Sequence, residues 1–581
     1  MKLLKVYKTD NDLIIDTTDG YRVCKLRHSN FVDMDALESK CKSLIGKNIE
    51  TTAFQHERYG ATYFYKINEI SSSKESLEEL KKELIKKIPL KQKFKRHSSQ
   101  KIFGPPGTGK TTFLLSQIKE HVDKGVKPEN IAFISFTNAA ANEAKKRVSK
   151  HFNNLGSIDF PNFSTMHSLA TKIGGNRGKE LCLEEHWKAF DEAIFCFSEW
   201  TEKNDPFSIV SRFSHPVLDL YSLAISRETS LEDELNLKLT SGDFHSSRDI
   251  ANMEALLKSY FGVKIDSNSD LLEYSLRYIN RYNDFKKREA LVDFNDVIIN
   301  TVTGLPEDQV PTFEVLVIDE AQDLSDNLWT LAKKIIEKAG TVLIAGDDDQ
   351  AIMINFGASA HEFLNIKTTK KDYPLPKSWR VPSQVMDYVN AGVMKSILAL
   401  PDRKAKEWET ADHTGTLNYM TEETRRDNEG NIYKDYQEYD INDLLVEVIH
   451  KKEDEWLIMC PTRKTGKDMS KALLELRPPI PHFYRNKPMP SLVDIGTSNI
   501  RIQSIHTSKG DQADNVAIVV KGIGDVSMLV NDPRLAYVAL TRAKFHMLPR
   551  VVKKGLIPWM RNSIEYGALA SQYDQMFPSK I

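Results

Sequence analysis

The sequence predicts an α/β protein with parallel sheets wrapped by helices, and three observations predict it. Apolar runs of strand length ("QKIFG", "IAFISF", "VLVIDE", "TVLIAG") alternate with helical patterns. These runs are near-continuously apolar, as strands buried on both faces of a parallel sheet must be. A glycine-rich turn separates the first run from a helical pattern in "IFGPPGTGKTTFLL". A second series, "TLNYM", "WLIMC", "IRIQSI" and "NVAIVV", predicts a second α/β domain between about Tyr373 and Met547.

A chain of 581 residues is too long for one core, and its elements divide as follows. Residues 1–73 read as a β-rich accessory domain, with two strands around the D-G turn of "DLIIDTTDGYRVCKL" and another in "ATYFYKINEI". A helix is expected between them, in "DMDALESKCKSLIG". Residues 74–101 are charged and Lys-rich, a linker with a solvated helical half. The first α/β domain takes residues 102–173 and 290–372. Its rhythm is interrupted over 174–289 by a mostly helical insertion containing "LLEYSLRYINRYNDFKKREAL". The second domain covers 373–548, and 549–581 read as a tail.

With 80 basic and 81 acidic residues, any nucleic-acid-binding surface must be local. The five cysteines, Cys24, Cys41, Cys182, Cys196 and Cys460, form no CxxC pair, which argues against a zinc module and for reduced thiols in a cytoplasmic compartment. No signal peptide and no membrane-spanning stretch is expected.

The glycine-rich turn satisfies G-x-x-x-x-G-K-[ST] between a strand and a helix. Its loop runs Gly104, Pro105, Pro106, Gly107, Thr108, Gly109, Lys110, Thr111, Thr112. Backbone N–H groups there can close around phosphate oxygens, aided by the helix dipole. Lys110 would reach the β- and γ-phosphates of ATP, and the Thr111 hydroxyl would hold Mg²⁺. "FEVLVIDEAQD" supplies the acidic partner: Asp319 for the metal and Glu320 to polarise the attacking water. The stretch "TVLIAGDDDQAIMINF" delivers three aspartates and Gln350 at the end of a third strand, facing the same crevice. Gln350 reads as a γ-phosphate sensor, and the bland alternative is an acidic helix cap.

The ordered set "GPPGTGKTT", "SFTNAAANEAKKRV", "STMHSLA", "VDFNDVI", "VIDEAQDLS", "GDDDQAI", "SWRVPSQV", "IHTSKGDQADNVAIV" and "LAYVALTRAK" resembles the motifs of superfamily 1 helicases of the UvrD/Rep/PcrA type. The resemblance implies two RecA-like domains with ATP between them, hydrolysis coupled to movement along DNA, and 3′-to-5′ polarity. It assigns Arg380 and Arg542 to the γ-phosphate, Trp379 to adenine stacking, Gln512 to the ribose and Gln92 to the adenine edge. For DNA it points to Phe136, Thr137, Asn138, Thr165, His167, His506 and Thr507, with single-stranded and tailed duplex DNA as substrates.

Two departures stand out. Met353, Asn355 and Phe356 occupy places where the family shows an aromatic and then Trp-Arg, so Phe356 either takes over the stacking or is plain core. The family also carries a large mobile subdomain before its fifth motif. Here only residues 480–499 separate "KALLELRPP" from "IRIQSIH". A motor that displaces proteins without unwinding, and an RNA-directed helicase, are the alternative readings. Residues 1–73 are expected to dock a partner protein or DNA.

Overall fold

The computed structural model describes residues 3–8, 12–17, 20–25, 39, 41–43, 45, 49–55, 62–69, 98–151, 160–174, 179–182, 186, 189–190, 216–241, 244–400, 403–418, 420–426, 432–484, 487–489 and 498–579. The chain divides into two compact units, Met1–Gln92 and Lys93–Ile581.

The first unit holds five strands: β1 (Leu3–Lys8), β2 (Asp12–Thr17), β3 (Gly20–Lys25), β4 (Ile49–Gln55) and β5 (Thr62–Glu69). They form one sheet in the order β1-β2-β3-β5-β4, with only the β3–β5 pair parallel. The D-G sequence joins β2 to β3 with Thr17 opposite Gly20. Of the helix expected over 33–46, residues 39 and 41–43 are helical.

In the second unit, one lobe is built on β6 (Ser98–Phe103), β7 (Ile131–Ser135), β8 (Asn162–Thr165), β11 (Val315–Ile318), β12 (Thr341–Gly346) and β13 (Tyr373–Pro374). The order is β13-β6-β12-β11-β7-β8, parallel throughout. The period-2 geometry of a strand sends alternate residues to opposite faces. Val315 and Val317 accordingly join one apolar cluster, while Leu316 and Ile318 join another across the sheet. Because β6 begins at Ser98, the last four residues of the charged 74–101 stretch are strand. Likewise Tyr373 and Pro374, read as the start of the second domain, pair with β6 of the first sheet.

The insertion opens and closes at a parallel pair, β9 (Glu180–Leu181) with β10 (Leu291–Val292). Its described helices Pro216–Ser226, Leu231–Ser241, Phe244–Phe261 and Asn268–Arg288 share a core around Leu218, Leu257, Tyr278 and Tyr282.

The other lobe holds β14 (Thr416–Leu417), β15 (Met420–Arg426), β16 (Ile432–Glu438), β17 (Trp456–Cys460), β18 (His482–Tyr484), β19 (Lys487–Met489), β20 (Ile500–Ser504), β21 (Ala513–Val520) and β22 (Ala543–Val552). Seven form a sheet in the order β14-β22-β21-β17-β20-β18-β19, parallel except at β18–β19. The remaining two, β15 and β16, form a separate antiparallel hairpin. Residues 549–581 are not a loose tail. Within them β22 continues to Val552, and helices Leu556–Arg561 and Gly567–Met576 bury Ile557, Met560, Tyr573 and Met576 in the lobe's core, followed by Phe577.

Among the described residues, no helix is long and apolar enough to cross a membrane. Cys41, Cys182 and Cys460 are buried as reduced thiols.

Candidate active site

Parallel sheets collect functional groups at the C-terminal ends of their strands, and the first lobe does so four times. β6 runs into Gly104, β7 into Phe136, β11 into Asp319 and β12 into Asp347.

The loop after β6 folds into a cradle. Gly107 and Gly109 lie at φ 75 and 79, a left-handed backbone that glycine adopts without cost. At Gly104 the reason is proximity, because a Cβ would stand 2.2 Å from Lys110 Cγ. Lys110 is buried at the start of the helix Lys110–Asp123 and curls back to donate from Nζ to Gly104 O at 2.7 Å. The Thr111 hydroxyl donates to Asp319 Oδ2 at 2.8 Å. That hydroxyl–carboxylate pair is a hard-oxygen donor set of the kind Mg²⁺ takes.

Asp319 is buried and its neighbour Glu320 half-buried. Burial, with Glu320 beside it, pushes the Asp319 carboxyl up to about 6. Burial pushes Glu320 up as well, but Lys110 and Lys509 outweigh it and hold Glu320 below the usual carboxylate range. Glu320 has φ 53, a strained conformation for a side-chain-bearing residue. Gln322 Nε2 donates to Glu320 Oε2 at 2.6 Å, and Gln322 Oε1 accepts from Asp347 N at 3.0 Å. Gln322 thus links the ends of β11 and β12.

The second lobe completes the site. Ser378 Oγ donates to Pro106 O at 2.8 Å and Trp379 N to Gly107 O at 2.9 Å. This seats Arg380 on the cradle, where a Cβ on Gly107 would lie 2.6 Å from Arg380 Cβ. The Trp379 indole is 71% exposed beside the loop. Arg542, buried just before β22, donates from Nη2 to Gln350 Oε1 at 2.9 Å. Lys509 Nζ bridges Asp323 at 2.5 and 2.7 Å and donates to Gln350 O at 2.6 Å. Burial pushes the Asp323 carboxyl up to about 6 against the pull of Lys509. Burial lowers Arg542 to about 10, and burial together with Arg542 takes Arg380 well below its ordinary value. The buried Arg380 Nε has no hydrogen-bond partner among the described residues. Two guanidiniums close enough to disfavour each other's charge, both beside Glu320, favour an added anion.

The three aspartates after β12 are all buried, and they do more than cap. Lys406 Nζ contacts Asp347, Asp348 and Asp349 at 2.6, 2.5 and 3.0 Å. Arg403 grips Asp349 with two bonds of 3.0 Å. Asp347 also accepts from Asp349 N at 3.3 Å, so the capping reading holds too.

The remaining expected residues differ in exposure. Phe136 is half-buried, whereas Thr137, Asn138 and Thr507 are exposed. Thr165 is buried, and its hydroxyl caps the helix Met166–Ile173 by accepting from Ser168 N at 3.2 Å. His167 meets Phe294 edge-on at 5.6 Å, and Phe294 is 51% exposed. Phe356 is 64% exposed and 6.3 Å from the His506 ring, which overturns the plain-core alternative. Its turn is held from behind, where Arg227 Nη2 of the insertion donates to Ile354 O at 2.9 Å. Burial, with Lys509 and Arg463 nearby, pushes His506 down to about 4. The Gln512 side chain is exposed, and Gln92 lies outside the described residues.

Gln322, Phe294, Arg403, Lys406 and Lys509 escaped the sequence reading. Lys509 and Phe294 stood inside quoted motifs, in "HTSKG" and "VDFND". Arg403 and Lys406 lie in "PDRKAKEW", a charged stretch that belongs to none of the quoted motifs.

Fold and site together define a two-lobed P-loop protein whose phosphate cradle is completed by arginines from its second lobe. The model of the UvrD/REP helicase N-terminal domain matches residues 85–374. The chain is 23% identical over 457 residues to the ATP-dependent DNA helicase PcrA of Leuconostoc citreum, covering 74% of this chain and 53% of that protein. It is 23% identical over 346 residues to PcrA of Staphylococcus aureus, covering 56% and 42%. It is 24% identical over 294 residues to the ATP-dependent DNA helicase Rep of Buchnera aphidicola, covering 49% and 40%. The chain therefore spans about half the length of the relatives it matches. It belongs to the UvrD/Rep/PcrA group of superfamily 1 helicases.

Proposed function

We propose that this chain is an ATP-driven motor that moves 3′-to-5′ along single-stranded DNA and unwinds tailed duplexes, its two parallel α/β lobes acting as RecA-like domains. The observation that carries it is the meeting of Lys110, Glu320 and Gln350 of one lobe with Arg380 and Arg542 of the other. Such a site turns over only when the lobes close, which ties hydrolysis to movement. The relatives' names, ATP-dependent DNA helicases, support the same reading.

In this reading Lys110 binds the β- and γ-phosphates, and Glu320, kept ionised, accepts a proton from the attacking water. Gln350 orients that water while Arg380 and Arg542 stabilise the charge developing on the transferred phosphoryl group. Thr111 and Asp319 would hold Mg²⁺, which supplies charge neutralisation on the phosphates. The exposed Trp379 stacks on adenine, with Gln512 near the ribose. DNA crosses Phe136, Thr137, Asn138, His167, Phe294, Phe356, His506 and Thr507, with the aromatics stacking bases at roughly 1–3 kcal/mol each. The N-terminal unit is proposed to dock a partner protein or DNA.

Single-stranded DNA should stimulate ATP hydrolysis, and Glu320→Gln should lower turnover on the order of 10²–10⁴-fold. Lys110→Ala should abolish it. Robust hydrolysis in either variant would exclude the mechanism. Duplexes with 3′ or 5′ tails decide polarity, and unwinding of 5′-tailed substrates alone reverses it. The short span between the helix Arg463–Glu475 and β20, with only β18 and β19 among its described residues, favours a second reading. This is translocation that strips proteins from DNA, and it predicts directional movement with no strand separation.

A further inference from the structure

We propose that Lys406 is a positioning residue for the phosphate sensor, and that residues 403–406 latch the second lobe onto the end of β12 whether or not nucleotide is bound. The positioning half of this rests on the ATP-motor reading above, whereas the latch half does not.

Three adjacent buried carboxylates are costly unless cations and donors surround them. Here Lys406 reaches all three, Arg403 takes Asp349 through a two-bond fork, and Lys404 N donates to Asp348 Oδ2 at 2.8 Å. These cationic partners come from the segment between the helix Val393–Leu398 and β14, in the other lobe.

The cluster also continues toward the cradle. Lys406 Nζ lies 2.6 Å from Asp347 Oδ1, and the opposite oxygen of that carboxylate accepts from Gln350 Nε2 at 2.7 Å. The Gln350 amide then offers its Oε1 to Arg542 Nη2 at 2.9 Å. An amide with a carboxylate on its nitrogen and a guanidinium on its oxygen has one orientation. Lys406 therefore fixes, through Asp347, which end of Gln350 faces Arg542. Without the ammonium, Asp347 stands among like charges, and the cheapest relief is to move or take up a proton. Movement frees the Gln350 amide, and a protonated Asp347 can donate as well as accept, so in either case the amide loses its single orientation.

A neutral brace and a positioning residue make different predictions. Lys406→Met should lower the kcat of DNA-stimulated ATP hydrolysis by about 10–100-fold, the loss typical of removing a group that orients a site residue, with KM for ATP little changed. Lys406→Arg should recover most of it. Adding Asp348→Asn to Lys406→Met removes one negative charge that does not touch Gln350. The double variant should regain Tm while kcat stays low. Full recovery of kcat with Tm would show charge balance alone and overturn the positioning role. Hydrogen exchange in nucleotide-free protein judges the latch separately. The Lys404 and Gln350 amides should exchange slowly in the wild type and fast in Lys406→Met, whereas fast exchange in the wild type overturns the latch. If the wild type lacks DNA-stimulated hydrolysis, the motor reading falls and exchange still decides the latch.

Discussion

Asp319 shows how a single buried carboxyl can report on the site. Its folded pKa, about 6, lies above its ordinary 3.8 because burial and Glu320 disfavour a second charge. A carboxyl raised in this way contributes stability that is fully present below the unfolded value and is lost as pH rises through about 6. Above that window the folded protein holds a charge that the proposed Mg²⁺ would relieve. Mg²⁺ with ATP should therefore raise Tm more at pH 7.5 than at pH 5, and Asp319→Asn should flatten the difference. Equal shifts at both pH values would contradict the assignment. Gly107→Ala tests the cradle itself. The added methyl meets Arg380 and imposes φ 75 on alanine, a strain on the order of 1–3 kcal/mol. ATP affinity measured by titration should fall accordingly, with folding retained. The local structure at both places was legible in the sequence: a glycine pattern records the left-handed turn at Gly107, and an apolar strand that ends in acidic residues places Asp319. Lys406 and Arg403 were not, since a loop lysine that buries its charge against another lobe is spelled like one in solvent.

At the scale of elements, strands buried on both faces were the most readable, and β7, β11, β12, β17 and β21 begin and end within two residues of their apolar runs. β1 and β4 were missed because "LLKVYK" and "IETTAFQ" mix charged and polar residues into the strand. The terminal helices were misread for a different reason. Their apolar residues are spread among Gly, Pro, Ser and Asn, so the pattern resembles a tail, although Ile557, Met560, Tyr573, Met576 and Phe577 complete the core. Arg550, also buried, donates to Phe577 O at 2.6 Å and pairs with Asp574 at 2.7 Å. A chain ending at Val552 would expose that core and strand a buried guanidinium, a loss of several kcal/mol. Truncation there should give insoluble protein or a Tm far below that of the full chain. A soluble truncated protein with unchanged Tm would restore the tail reading.

For the whole molecule, the question is whether the lobes work as one unit, and Gln350 with Arg542 is the place to measure it. The two residues are separated by most of the second lobe's sequence, yet they share a 2.9 Å bond. Arg542→Ala should cost roughly 10³–10⁵ in turnover, because the proposed mechanism has its charge act on the transferred phosphoryl group. Gln350→Ala should cost less, because it orients and carries no charge. If closure assembles them as one device, the double variant should be little worse than Arg542→Ala. That corresponds to a coupling of about 0.5–3 kcal/mol in a double-mutant cycle on kcat. The same cycle run on binding of a non-hydrolysable ATP analogue should show much weaker coupling, because in this mechanism Gln350 and Arg542 act on the transferred phosphoryl group and not on the rest of the bound nucleotide. Additive losses in kcat would mean that the two groups act independently. The contact between lobes would then be packing, with no part in hydrolysis.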